Sequence, residues 1–262
     1  MTAPPPLPRE HGAWVMLALP LILGLTLGGG SPAAWGVPAA AILAFLAHYA
    51  LVPVLQRKRT GKPGPAEWTR ARWSWGAIYL GGAGVAFAAT WLLSPTRGAL
   101  GTLAAVSGGC AAVYFVAAAF GSGRAIASEL VGMAGMALAA PLVAAAAGVL
   151  DRRAWTAAAI AFAYFLSSVA FVRAYGAFRE DRAAATVRCL TAHAGVAVGV
   201  VALAVAGLVA ALPLLALAPA AIRTSWGLAR PPANLRALGM GELGVAVALA
   251  ASAIVLLRVG GL

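Results

Sequence analysis

Between Leu51 and Arg72 an apolar run gives way to Arg57, Lys58, Arg59, Lys62, Arg70 and Arg72, opposed only by Glu67, before apolar sequence resumes at Trp75. That switch, repeated less sharply along the chain, suits a protein immersed in hydrocarbon. No water is available there to satisfy backbone groups, so the chain crosses as helices of about twenty apolar residues separated by short polar loops. Apolar residues make up 62% of the 262 positions and charged residues only 10%, more apolar surface than a soluble core could hide. The pattern predicts an all-α polytopic membrane helix bundle forming one integral membrane domain over residues 1–262.

Runs long enough to cross about 30 Å at 1.5 Å per residue fall near 12–29, 34–55, 75–94, 99–120, 128–149, 154–176, 189–206, 208–222 and 240–257. The seventh and eighth are short, and Pro213 could mark a kink in one long helix instead of a hairpin. Charge decides for two. With nine spans and the N-terminus in the cytoplasm, fifteen of the 19 Lys and Arg residues fall inside, and only Arg97, Arg152, Arg153 and Arg258 fall outside. Merging the pair would move Arg223, Arg230 and Arg236 outside, against the positive-inside bias. The expected location is a bacterial cytoplasmic (inner) membrane.

The net charge of +12 lies in short loops beside spans and not on a separate basic domain, so topology and anionic headgroups account for it and nucleic acid does not. The opening Met-Thr-Ala-Pro-Pro-Pro-Leu-Pro segment lacks a small-residue cleavage pattern, which predicts a retained first helix. Cys110 and Cys189 read as small apolar fillers. The pairs Gly24/Gly28 and Gly195/Gly199, with Gly81, Gly82, Gly84, Gly132 and Gly135, predict close helix packing within the bundle.

Six of the seven acidic residues (Glu10, Glu67, Glu129, Glu180, Asp181 and Glu242) and all three histidines, His11, His48 and His193, fall on the cytoplasmic side, while Asp151 faces out. Carboxylates do little for topology, so Glu10-His11, Glu129 and Glu242 at the inner mouths of spans concentrate the polar chemistry at one face. His48 lies roughly 12 Å inside the boundary. It is either an imidazole hydrogen-bonded between helices or part of a site. Pro53 cannot donate to the carbonyl of Tyr49, which leaves an acceptor one turn from His48.

At the end of the sixth span, Arg173 and Glu180 share one helix face, and Tyr175, Arg179 and Arg182 share another. This is either a salt-bridged helix end or a site in which Arg173 meets an anion or one of Glu10, Glu129 and Glu242. Polar residues toward the outside are few, namely Thr90, Ser107, Ser167, Ser168 and Asp151, and no inverted repeat is visible. Both observations favour a one-sided pocket over a translocation path.

The residues Pro8-Arg9-Glu10-His11-Gly12-Ala13-Trp14, Phe171-Val172-Arg173 leading to Arg179-Glu180, His193, Pro219 to Arg223, and Leu238-Gly239-Met240-Gly241-Glu242 resemble the YwiC-like family of bacterial membrane proteins over nearly the whole chain. That resemblance implies little about activity. A more distant resemblance is to the UbiA-type membrane prenyltransferases, which have nine helices and two aspartate-rich motifs holding magnesium against a prenyl diphosphate. Arg179-Glu180-Asp181-Arg182 stands where the second motif would, and Ser122-Gly123-Arg124 is also similar, but His48 to Gln56 supplies no carboxylate where the first would stand. The resemblance implies a UbiA-like architecture. A divalent cation such as Mg2+ is the cofactor it implies, with one of the two carboxylate clusters that would hold it missing.

Three functions follow as expectations. One is a UbiA-like enzyme binding an isoprenoid, quinone-like or phosphorylated lipid, with Glu180, Asp181, Glu129 or Glu242 as catalytic carboxylates. Its binding residues would be Glu10, His11, His48, Tyr49, Arg57, Arg173, Tyr175, Arg179, His193 and Arg223. The others are a transporter and an assembly factor for another membrane system. A metal site drawn from Glu10, His11, His48, Glu129, His193 and Glu242 is a weaker chemical alternative.

Overall fold

The structure is a computed structural model and describes residues 4–8, 11–62, 64–178 and 180–259, without the side chain of His11. Those residues form ten α-helices: α1 (His11–Gly28), α2 (Pro32–Arg59), α3 (Ala66–Leu93), α4 (Arg97–Ala119), α5 (Ile126–Ala137), α6 (Ala139–Ala146), α7 (Arg152–Ala177), α8 (Arg182–Val205), α9 (Ala218–Ala229) and α10 (Leu235–Val259). A 3-10 segment, Leu212–Leu217, leads into α9. Eight segments have the length and hydropathy of a span, and Gly12–Gly28 adds a shorter apolar helix. With α5 and α6 taken as one segment and 212–229 as another, the described residues hold nine apolar helical segments, eight of them of span length.

The break between α5 and α6 has a local cause. Pro141 has no N–H to give to the carbonyl of Ala137 and its ring crowds that carbonyl, and the helix interrupts at Leu138. Between α8 and α9 the chain turns back. The Gly207 N–H donates to the Ala204 carbonyl at 3.0 Å and the Leu208 N–H to the Leu203 carbonyl at 3.0 Å, with Gly207 at φ +71°. This paired cap stops α8 before Pro213 can bend it. Arg182, at the start of α8, donates to the Leu228 carbonyl near the end of α9, so the two run antiparallel as a hairpin. Six 3-10 residues at about 2.0 Å and twelve α residues at about 1.5 Å reach about 30 Å, enough for a crossing.

The core centres on α6, in which every residue from Ala139 to Ala146 is buried. Around it α1, α5, α7 and α10 contribute Leu19, Leu23, Met133, Ile160, Tyr164, Phe165 and Leu249. The outer surface is apolar as well: Val85, Leu92, Val198 and Val205 are exposed, as hydrocarbon-facing residues should be. Exposed Trp35 and Trp155 lie near helix ends at one face, and Trp73 and Trp226 near helix ends at the other. This is the arrangement of aromatic residues expected at two membrane interfaces.

The helix ends at one face carry Arg57, Lys58, Arg59, Lys62, Arg70, Arg124, Arg182 and Arg230, and the opposite face carries Arg97, Arg152, Arg153 and Arg258. Two boundaries differ from the sequence expectation in a way that bears on function. Arg223 is not in a loop after residue 222, because α9 runs to Ala229. Glu242 is not at a mouth, because α10 starts at Leu235. Each lies roughly 10 Å inside its helix end at 1.5 Å per residue. A hydropathy reading cuts a span at an arginine; the fold hides that arginine by pairing it.

The glycine pairs split. A Cβ on Gly24 would lie 2.8 Å from the Val143 Cβ and 2.9 Å from the Ala140 carbonyl oxygen, so α1 and α6 touch there with no room to spare. Gly132 and Gly135 make similar contacts with Tyr114 and Cys110 on α4. Gly195 and Gly199 on α8, expected to pack likewise, have nothing within 4 Å of an added Cβ, and Gly81 and Gly84 on α3 are equally open.

Candidate functional site

Helix α8 is held by its basic-face end. Ala185 and Cys189 are its buried residues, and the rest of the helix leaves a groove against α5 and α7. The groove has a volume of about 800 Å³. Its wall runs from Leu203, Gly199 and Val196 on α8 and Ala159, Phe162 and Leu166 on α7 toward the basic face. There Glu129, Arg173 and Arg188 line its end. From Arg188 to Leu203 the wall spans roughly 22 Å at 1.5 Å per residue, more than one leaflet of a 30 Å core.

The charged end is built from three helices, with Glu129 on α5, Arg173 on α7 and Arg188 on α8. Arg173 Nη2 donates to Glu129 Oε2 at 2.8 Å and to the Arg124 carbonyl at 2.7 Å, which fixes the guanidinium at the α4–α5 turn. The side chains are 43% and 23% exposed, so the pair is open to the groove and the interface, and its electrostatic contribution to stability is small. Arg173 therefore meets one of the carboxylates expected for it. Arg188, counted from sequence among the cytoplasmic cations, was not one of the expected binding residues.

A second polar cluster lies among α7, α8, α9 and α10. Glu242, 8% exposed, accepts from Ser168 Oγ at Oε2 at 2.5 Å, and its carbonyl accepts from the Tyr164 hydroxyl at 3.1 Å. Arg223 Nε lies 3.1 Å from Glu242 Oε1, and both side chains are 10% exposed. The alignment gives no hydrogen bond, so among the described residues Arg223 Nε, Nη1 and Nη2 and Glu242 Oε1 have no hydrogen-bond partners. The guanidinium sits over the Phe171 ring at 4.5 Å. Ser168, read as outward polar lining, is the Glu242 donor, and its polarity in an apolar span was the available signal.

His193 adjoins this cluster. Its Nδ1 is 2.8 Å from the Cys189 carbonyl oxygen and its Nε2 is 2.9 Å from Thr224 Oγ1, so it ties α8 to α9. Cys189 Sγ is 3.7 Å from Nδ1, a four-residue helical spacing that corrects the expectation of no His at ligand spacing beside Cys189. Cys110 and Cys189 are both free thiols.

The other candidate residues scatter. His48 sits among rings, stacked on Tyr114 at 5.5 Å and edge-on to Tyr49 and Phe115. The Tyr49 carbonyl freed by Pro53 accepts from Arg72 Nη1 at 2.7 Å. Arg57 and Arg72 both lie over the Trp68 ring, at 5.0 and 5.1 Å. The Tyr175 hydroxyl donates to the Pro232 carbonyl at 3.0 Å. Asp181 is the N-cap of α8, accepting from the Ala184 N–H at 2.9 Å, and Glu180 is exposed beside it. Glu10, Arg179 and the His11 side chain lie outside the described residues.

Among the described residues no three His, Cys, Asp or Glu side chains converge as a metal group, so His48, Glu129, His193 and Glu242 do not form the joint site considered from sequence. Magnesium also lacks a fitting donor set at α2 and α8. Asp181 is engaged as a cap, and the basic-face end of α2 offers Gln56, whose Nε2 donates to the Ala118 carbonyl at 2.7 Å.

No curated protein and no solved structure matches the chain. A family match covers α1 to α6 and stops before the α7–α10 cluster, so it is shorter than the motifs after residue 145 suggested. It is to the YwiC-like protein family over residues 7–145, more than half of the 262 residues, and the chain belongs to that family.

Proposed function

We propose that this multi-pass membrane protein binds an amphipathic lipid with an anionic headgroup in the groove between α5, α7 and α8. The observation that carries the reading is the groove itself, apolar for about 20 Å and ending at Arg173 and Arg188. An isoprenoid or acyl chain matches the wall, and a phosphate or carboxylate headgroup matches the cations. Glu129 holds Arg173 in place and is the carboxylate, of those named from sequence, that lines this groove. The positive-inside bias puts the basic face in the cytoplasm, so the groove draws its ligand from the inner leaflet of a bacterial inner membrane. A UbiA-like transfer reaction would place its acceptor beside that headgroup, with Glu180 and Asp181 at the same face.

Native mass spectrometry of protein extracted gently from its own membrane tests this. Gly195→Leu and Gly199→Leu fill open space in the groove, and Arg173→Gln with Arg188→Gln removes the headgroup contacts. One lipid class should survive delipidation on the wild-type chain and be lost from both sets of variants. A mixed lipid population that neither set alters would sink the reading.

A further inference from the structure

A second cavity, of about 620 Å³, lies between α9, α10 and the Phe171 region of α7, and shares none of its lining residues with the groove. Arg223, Glu242, Trp226 and Arg230 line it. Arg230 sits at its basic-face end, over the Trp226 ring at 4.8 Å. Arg223 is nine-tenths buried, yet none of its guanidinium nitrogens has a hydrogen-bond partner among the described residues. Glu242 would be expected to meet an arginine with two parallel bonds if it were only a counter-ion. Instead Ser168 holds Oε2, and Oε1 stands 3.1 Å from Nε without a hydrogen bond. The charge of Arg223 is balanced while its donors, and one acceptor of Glu242, remain unused. Inside a membrane protein, unused polar capacity of that kind is costly and marks a ligand site.

We propose that this cavity binds a monoanionic phosphate group, as free dihydrogen phosphate or as a singly protonated phosphate monoester headgroup. Its P–O⁻ oxygens accept from Arg223 Nη1 and Nη2, and its P–OH donates to Glu242 Oε1. Arg223 and Arg230 together outweigh Glu242 by one positive charge, which suits a monoanion. Sulfate offers the same acceptors but no hydroxyl for Oε1, so the site discriminates against it. The assignment does not depend on what fills the groove.

The test uses the full chain in phosphatidylcholine nanodiscs and reads the thermal unfolding midpoint. Inorganic phosphate and sulfate are titrated at fixed ionic strength, below the second pKa of phosphate, and a parallel set of nanodiscs contains phosphatidic acid. A saturable rise is expected with free phosphate or with phosphatidic acid, and whichever responds identifies the source of the headgroup. Sulfate should need at least about ten times the concentration, the effect of one lost charge-assisted hydrogen bond. The R223Q/E242Q pair, neutral and similar in shape, should abolish the response. Arg230→Gln, a change at an exposed side chain that leaves the buried pair intact, should raise the half-saturating concentration severalfold. No rise with either phosphate source overturns the proposal, as does a rise that neither variant alters, and sulfate matching phosphate removes Glu242 from the site. Gly199→Leu should leave the phosphate response intact, so failure here and failure of the groove reading are separable.

Discussion

Gly24 and Gly28 on α1 and Gly195 and Gly199 on α8 are the same small-residue spacing used in opposite ways. The first pair lets α1 press against α6, where Val143 and Ala140 fill the space a side chain would need. The second pair faces a groove because the residues α8 buries, Ala185 and Cys189, and its His193–Thr224 contact lie toward its basic-face end. Around α6 the fold is held by apolar contact at close range; around α7 to α10 it contains buried charge and open volume. The same spacing therefore marks a helix contact at one pair and open space at the other.

The comparison breaks most sharply at Glu242. If the α7–α10 cluster depends on charge pairing, Glu242→Leu alone strands the Arg223 guanidinium and should destabilise by about 3–5 kcal/mol. The double variant Arg223→Leu with Glu242→Leu should recover most of that loss. Thermal unfolding in detergent measures both, and a double variant no better than the single would show that the pair is not coupled.

Gly24→Leu should cost about 1–3 kcal/mol or more, since the Cβ alone meets backbone and side chain of α6 inside 3 Å. Gly195→Leu should be neutral or stabilising by up to about 1 kcal/mol, because it removes a flexible residue from a helix without a clash. Equal losses at the two sites would mean that α8 packs against something in the membrane as tightly as α1 packs against α6.

Asp181 offers a smaller effect. Asp181→Ala should cost about 1 kcal/mol through the lost cap, while Asp181→Asn should be close to wild type in stability. A lipid-linked activity lost in Asp181→Asn with the fold intact would show that the carboxylate does more than start α8.

How far the sequence carried depended on how local each cause was. The spans were legible because hydropathy accumulates over twenty residues, and Tyr49 was legible as a free acceptor because Pro53 acts four residues away. Its donor, Arg72, lies across a helix hairpin and was not. Arg223 was misplaced into a loop because its partner Glu242 comes from another helix, and a linear reading counts the charge without the pairing. Ser168 looked like isolated polarity for the same reason: the carboxylate it serves is 74 positions away. Arg188 needed the groove to exist before it could be more than a loop cation.

The smallest stability effect belongs to Arg173, and it makes the sharpest test of the two-region contrast. The Arg173–Glu129 pair is partly exposed, so Arg173→Gln should change unfolding stability by less than about 1 kcal/mol. Its guanidinium is nonetheless oriented by two acceptors, Glu129 Oε2 and the Arg124 carbonyl, at the end of an apolar groove. Under the proposed function, that orientation serves the headgroup of a bound lipid and not the fold. Arg173→Gln should therefore shed the groove lipid while its unfolding midpoint stays near wild type. A midpoint as low as that of Gly24→Leu would show instead that Arg173 clamps α7 to the α4–α5 turn, and that the basic end of the groove is packed for stability in the way α1 and α6 are.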